Sequence, residues 1–131
     1  MNFIVDKDIA FKEATILIVD DDVFARTTIA RFLSKRFKEV FQAGNGIEGL
    51  DAFKNHLPDI VMSDISMPKM NGIEMVKRIK DINPSQHVIV ATAYNDEAHH
   101  SPLACKTIIK PISYSILIEA IENCFKGHAP T

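Results

Sequence analysis

Four short apolar runs, each closing on a polar residue, restrict what this chain can fold into. They are Ile16-Leu17-Ile18-Val19 before Asp20-Asp21-Asp22, Ile60-Val61-Met62 before Ser63-Asp64, Val88-Ile89-Val90-Ala91 before Thr92, and Thr107-Ile108-Ile109 before Lys110. Runs of this length, rich in Ile and Val, read as strands buried on both faces. Val40-Phe41-Gln42-Ala43 is a fifth, shorter candidate. The stretches between them have helical spacing. Ala25, Ile29, Phe32 and Leu33 form one apolar stripe within a helix of about residues 23–36, with Arg26, Arg31, Lys35 and Arg36 facing water. Leu50 and Phe53 line a second helix, and Ile73, Val76 and Ile79 a third. Leu117, Ile121, Cys124 and Phe125 mark the last, with Gly127 as its stop.

Local signals agree with this division. Asn45 with Glu48, and Asn71 with Glu74, have the spacing of N-terminal capping pairs, and Pro58 and Pro84 close the helices that precede them. The segment from Tyr94 to Cys105 is the least orderly. Asp96-Glu97-Ala98 could open a helix, but Pro102 interrupts it after little more than a turn. Strand and helix therefore alternate five times, which predicts an α/β fold with a parallel sheet covered on both faces. Residues 1–14 read as an extension with a frayed start, in which Asp8 could cap a short turn through Phe11; 15–127 form the domain, and 128–131 a tail.

Composition removes several functional classes. With 131 residues, one domain accommodates the whole chain. A net charge of −2 leaves no electrostatic footprint for nucleic acid. No apolar run reaches the roughly 18 residues of a membrane span, and the first residues lack a signal-peptide pattern. Cys105 and Cys124 have no metal-ligand spacing, and no disulfide framework is expected; the cytoplasm is the default location. His56, His87, His99, His100 and His128 show no paired ligand spacing, and Phe32, Phe37, Phe41 and Phe53 are core candidates.

In a parallel sheet, ligands bind outside the carboxyl ends of the strands. Asp20, Asp21, Asp64, Thr92 and Lys110 all fall there. Adjacent carboxylates repel unless a cation sits among them, and Mg²⁺ accepts one or two carboxylates together with waters and phosphate oxygens. The chemistry these groups can support is phosphoryl transfer to a carboxylate. Asp64 stands alone as nucleophile, Asp20 and Asp21 hold the metal, Lys110 pairs with charge, and Thr92 donates a hydroxyl.

Ile-Leu-Ile-Val-Asp-Asp-Asp at 16–22, Asp-Ile-Val-Met-Ser-Asp-Ile-Ser-Met-Pro-Lys-Met-Asn-Gly at 59–72, Val-Ile-Val-Ala-Thr-Ala at 88–93 and Ile-Ile-Lys-Pro at 108–111 resemble the receiver domain of two-component response regulators. The likeness spans residues of about 15–126. It implies a flavodoxin-like (βα)₅ three-layer sandwich with strand order 2-1-3-4-5. It also implies Asp64 as phosphoacceptor, and Asp20, Asp21, Asp64 and the backbone carbonyl of Ser66 as ligands of Mg²⁺, or of Mn²⁺ in its place. Thr92 and Lys110 become the switch hydroxyl and the phosphate-pairing lysine, and the Lys110–Pro111 peptide is expected cis. The implied donor is a phosphohistidine on a sensor histidine kinase or a histidine phosphotransfer protein. The implied output is a changed protein surface, read by a downstream protein or effector domain, rather than contact with nucleic acid or insertion in a membrane. The domain signals rather than serving as an enzyme for others, with self-catalysed phosphotransfer and autodephosphorylation. No effector domain is recognisable, so the chain reads as a stand-alone receiver or part of a longer protein.

Two departures from the family pattern stand out. Thr107 occupies the place, three before the lysine, where an aromatic ring is common. Only 18 positions separate Thr92 from Lys110, about one helical turn fewer than usual, so a short or irregular fourth helix is expected. Two other readings compete. One is a haloacid-dehalogenase-like phosphatase, in which Asp20 of an Asp20-x-Asp22 pair is the nucleophile. The other is a receiver-fold binding module that no longer switches.

Overall fold

The computed structural model describes residues 11–95 and 101–126. Five parallel strands, β1 (Thr15–Val19), β2 (Glu39–Ala43), β3 (Ile60–Asp64), β4 (His87–Thr92) and β5 (Lys106–Ile109), form one sheet in the order β2-β1-β3-β4-β5. Among the described residues four helices accompany them: α1 (Val23–Ser34), α2 (Gly46–His56), α3 (Gly72–Ile82) and α4 (Tyr114–Phe125). The expected flavodoxin-like order is therefore present. β1 sits between β2 and β3, so the order reverses beside it. That reversal opens the crevice where Asp20 and Asp64 emerge.

Alternation along each strand divides the apolar residues between two cores. Ile16, Ile18, Ile60, Met62, Ile89, Ala91 and Ile108 face α1 and α4, where they meet Ile29, Leu33, Leu117 and Ile121. Leu17, Val19, Val61, Val88 and Val90 face α2 and α3, against Leu50, Phe53, Met75, Val76 and Ile79. This second core stops short of β5. By register Val90 lies beside Thr107 and Thr92 beside Ile109, yet Thr107 is polar and Ile109 is 41% exposed. No helix covers that part of the sheet among the described residues: 101–105 is turn and bend. The expected helix start at Asp96-Glu97-Ala98 lies outside the described residues, as do Asp8, His99, His100, Gly127 and His128.

Helix starts follow the capping signals, with one variation. Asn45 accepts from the Glu48 N–H at 2.9 Å, and Glu48 reaches back to the Gly44 N–H at 3.1 Å. Asn71 caps Glu74 in the same way at 2.9 Å, but the Glu74 carboxylate turns along the helix to Arg78 at 2.8 Å. Pro84 follows the C-terminal Asn83 of α3, and Leu57 ends α2 in the left-handed region.

Three sequence expectations need correction. Cys105 and Cys124 are joined in a disulfide, with their Cα atoms 6.0 Å apart. Pattern reading missed it because the two are 19 residues apart in sequence. They meet only because α4 runs back along the sheet and brings its last turn to the start of β5. Phe11 belongs to the core rather than to a frayed extension: it is fully buried and stacks on Phe37 at 5.2 Å. Arg26 does not simply face water, as described below. Of the four phenylalanines expected in the core, Phe37 and Phe53 are buried. Phe32 and Phe41 are half-buried, stacked on Tyr114 at 3.9 Å and on His56 at 4.0 Å.

Candidate functional site at the carboxyl ends of the strands

Asp20 follows β1 directly, and its backbone N–H continues the ladder to the Ala43 carbonyl at 3.1 Å. Its carboxylate is buried, with Oδ1 accepting the Asp22 N–H at 2.9 Å. Asp21 is exposed. Asp22 turns away, and its Oδ1 caps α1 by accepting from the Ala25 N–H at 3.1 Å. Three consecutive acids thus have three separate positions. One carboxylate oxygen each from Asp20, Asp21 and Asp64 lie within 4.8 Å of one another.

Asp64 is the last residue of β3 and half-buried. Lys110, just past β5, places its Nζ 3.4 Å from Asp64 Oδ1 and 3.7 Å from Asp20 Oδ2. One ammonium therefore serves two carboxylates. Burial pushes the Asp64 carboxyl above its ordinary value of 3.8; Lys110 opposes this, and the nearby Asp20 charge adds to it. With all three acids ionised, Lys110 leaves two negative charges uncompensated. Three hard oxygen donors around a two-charge deficit fit a divalent cation of the Mg²⁺ type.

Thr92 closes β4 and is 1% exposed; its Oγ1 accepts the Tyr94 N–H at 3.1 Å, and its own proton is left to donate. Its carbonyl accepts the Lys110 N–H at 2.7 Å, which fixes the base of the lysine chain beside the hydroxyl. The Lys110–Pro111 peptide is cis, as the motif predicts. Ser66 is exposed two residues beyond Asp64, in the loop that leads to α3. That loop is held by a close approach: a Cβ on Gly72 would lie 2.2 Å from the Asp64 carbonyl oxygen, so only glycine fits there.

Two supporting residues escape pattern reading. Arg26 donates from Nη1 to the Asp20 carbonyl at 2.8 Å and from Nε to Gln42 Oε1 at 3.2 Å, bracing the ends of β1 and β2. Ser63 donates its hydroxyl to the Asp64 carbonyl at 2.8 Å. Helical spacing places Arg26 on the polar side of α1, and nothing in the sequence shows that its long side chain folds back over the strand ends.

A family model of the response regulator receiver domain matches residues 16–122. The chemotaxis protein CheY of Thermotoga maritima is 37% identical over 116 residues, covering 85% of this chain and 97% of that protein. Among solved structures, the N-terminal domain of an uncharacterized Wolinella succinogenes protein is 37% identical. It superposes with a TM-score of 0.79, covering 86% of this chain and 94% of that one. A chain of the CheX-CheY-BeF₃-Mg²⁺ complex from Borrelia burgdorferi is 30% identical with a TM-score of 0.79, covering 95% of each chain. The acid cluster, the lysine and the threonine thus stand on a sheet whose fold matches that of these relatives over most of the chain, at 30–37% sequence identity. The chain belongs to the response regulator receiver family, the signalling domain of two-component systems.

Proposed function

We propose that Asp64 accepts a phosphoryl group from a phosphohistidine on a sensor histidine kinase or histidine phosphotransfer protein. The observation that carries this is the convergence of Asp20, Asp21, Asp64 and Lys110 at one sheet edge, with the Asp64 carboxylate paired to Lys110. An Asp64 oxygen attacks phosphorus, the phosphorus–nitrogen bond breaks, and the imidazole leaves with the electron pair. Lys110 holds the attacking carboxylate in place and then pairs with the charge of the transferred group. The Thr92 hydroxyl donates to a phosphoryl oxygen, and because its oxygen holds the Tyr94 N–H, that reorientation reaches the segment after β4. Asp20, Asp21, Asp64 and the Ser66 carbonyl would hold Mg²⁺, or Mn²⁺. The metal supplies charge neutralisation at the phosphoryl oxygens. Transfer is self-catalysed, as is later hydrolysis, and the setting is cytoplasmic. We place the receiver at residues 15–127, followed by a short tail and preceded by an N-terminal extension whose Phe11 packs into its core.

The structure favours this reading over a phosphatase with Asp20 as nucleophile. That alternative needs Asp22 beside Asp20 in the site, and Asp22 caps α1 instead. Acetyl phosphate with Mg²⁺, followed by peptide mass spectrometry, tests the proposal. One phosphoryl group is expected on Asp64 and none in Asp64→Ala; modification of Asp20 would overturn it.

Thr107 and the turn at 101–105 favour an output that differs from the ring-burial switch of aromatic-bearing relatives. Beryllofluoride with Mg²⁺ should shift NMR peaks around the acid cluster while leaving much of 101–109 in place. Broad shifts across that segment would show a conventional response.

A further inference from the structure

The two cysteines of the chain have a distinctive placement relative to the site. Cys105 immediately precedes β5 and is exposed, whereas Cys124, in the last turn of α4, is 1% exposed. The Cys105 N–H extends the β4–β5 ladder by donating to the Val88 carbonyl at 2.7 Å. β5 is an edge strand paired with β4 on one side, and of its four residues only Ile108 is buried. Its opposite end leads directly into Lys110, which pairs with Asp20 and Asp64. The strand thus carries a cysteine at one end and the site's lysine at the other.

We propose that Cys105 and Cys124 form a reversible redox modification site, closed by small disulfides and opened by thiols, whose closure fastens β5 and the 101–105 turn to α4. An exposed sulfur can be reached by a reagent from solvent, and access is a requirement of thiol–disulfide exchange. In the closing direction the Cys105 thiolate attacks one sulfur of a small disulfide, whose sulfur–sulfur bond breaks and releases one thiolate. The Cys124 thiolate then attacks Cys105 Sγ in the mixed disulfide and expels the second thiolate. Two protein thiols are oxidised, one small disulfide is reduced to two thiols, and two protons leave the protein. Opening is the reverse, with a glutathione-class thiol as reductant. The buried partner keeps the mixed disulfide short-lived, because Cys124 is already held next to Cys105. This inference rests on the cysteine placement, with an exposed sulfur at the start of an edge strand and its buried partner in the last turn of α4, and it stands independently of phosphoryl transfer at Asp64.

The test uses the full chain equilibrated in glutathione buffers from fully reduced to fully oxidised, quenched by alkylation and weighed. Each form is then followed by hydrogen exchange and thermal unfolding. The expected result is a folded protein that gains two alkyl groups in the reduced buffer and none in the oxidised one, reversibly. Reduction should lower Tm by about 10 °C and quicken exchange at 101–110 and in the last turn of α4. Cys105→Ser, a change at an exposed position, should behave as the reduced form in every buffer and still bind beryllofluoride with Mg²⁺. The proposal is overturned if both thiols remain alkylatable in oxidised glutathione. It is equally overturned if exchange at 101–110 is the same in both forms, or if Cys105→Ser still responds to the buffer.

Discussion

At the residue scale, the acids at the strand ends divide into those that strain the fold and those that support it. Asp64 holds its proton more tightly folded than unfolded, since burial and Asp20 raise its pKa from 3.8. Its contribution to stability therefore falls as pH rises through the interval between the unfolded and the raised folded value, and the full cost is present above it. Asp64→Asn should unfold at higher urea than the parent near neutral pH, and the advantage should fade as pH falls through the raised folded value and vanish well below the unfolded value of 3.8, where both states are protonated. Equal midpoints across that range would show that Lys110 compensates the charge fully. Asp21 and Asp22 should behave oppositely despite being neighbours. Asp22→Ala removes the α1 cap and should cost about 1 kcal/mol with Mg²⁺ affinity retained. Asp21→Ala should leave the urea midpoint within about 0.5 kcal/mol and weaken Mg²⁺ binding, read by calorimetry.

At the element scale, what the sequence showed and what it hid have physical causes. The sheet was legible because its strands are buried on both faces and so read as unbroken apolar runs, with the site residues falling at their carboxyl ends. The capping residues Asn45 and Asn71 were legible because a cap is local, spanning three residues. Arg26 was hidden because periodicity shows which side of a helix a residue starts from, not where a long side chain ends. The open face of β5 was half-visible: Pro102 and the short spacing weakened the helix, while the exposure of Ile109 required the register. The β3–α3 connection shows how tightly one element seats another. Gly72→Ala would force a Cβ against the Asp64 carbonyl, and since that neighbour is backbone, relief requires moving the loop. The expected cost is about 3 kcal/mol in urea unfolding, with weaker Mg²⁺ binding because Ser66 lies in the same loop.

At the scale of the whole molecule, two tethers join parts that chain order keeps apart. The disulfide closes a loop of about 20 residues, worth about 3 kcal/mol in the chain-entropy account. The pairing could not be seen from two cysteines in a sequence, because it depends on the direction in which α4 packs. The acid cluster of Asp20, Asp21 and Asp64, which we propose holds Mg²⁺, is the second. A metal bound only by the folded chain stabilises it by about 2.7 kcal/mol at one hundred times its Kd. Mg²⁺ should therefore raise Tm progressively in the parent and in Asp22→Ala. It should leave Tm unchanged in Asp20→Ala, which removes the buried carboxylate of the proposed metal site.

The hydrogen bond from the Tyr94 N–H to Thr92 Oγ1 has an optical consequence. The chain has no tryptophan and two tyrosines, so its near-ultraviolet emission comes from Tyr94 and Tyr114 alone. Tyr114 is stacked on Phe32 at 3.9 Å, whereas Tyr94 is tied through its own backbone N–H to the Thr92 hydroxyl. Rotation of Thr92 toward a phosphoryl oxygen must release or drag Tyr94. Tyr94 is thus an unlabelled fluorophore one hydrogen bond from the proposed switch hydroxyl: beryllofluoride with Mg²⁺ is expected to change tyrosine emission in the parent and not in Tyr94→Phe.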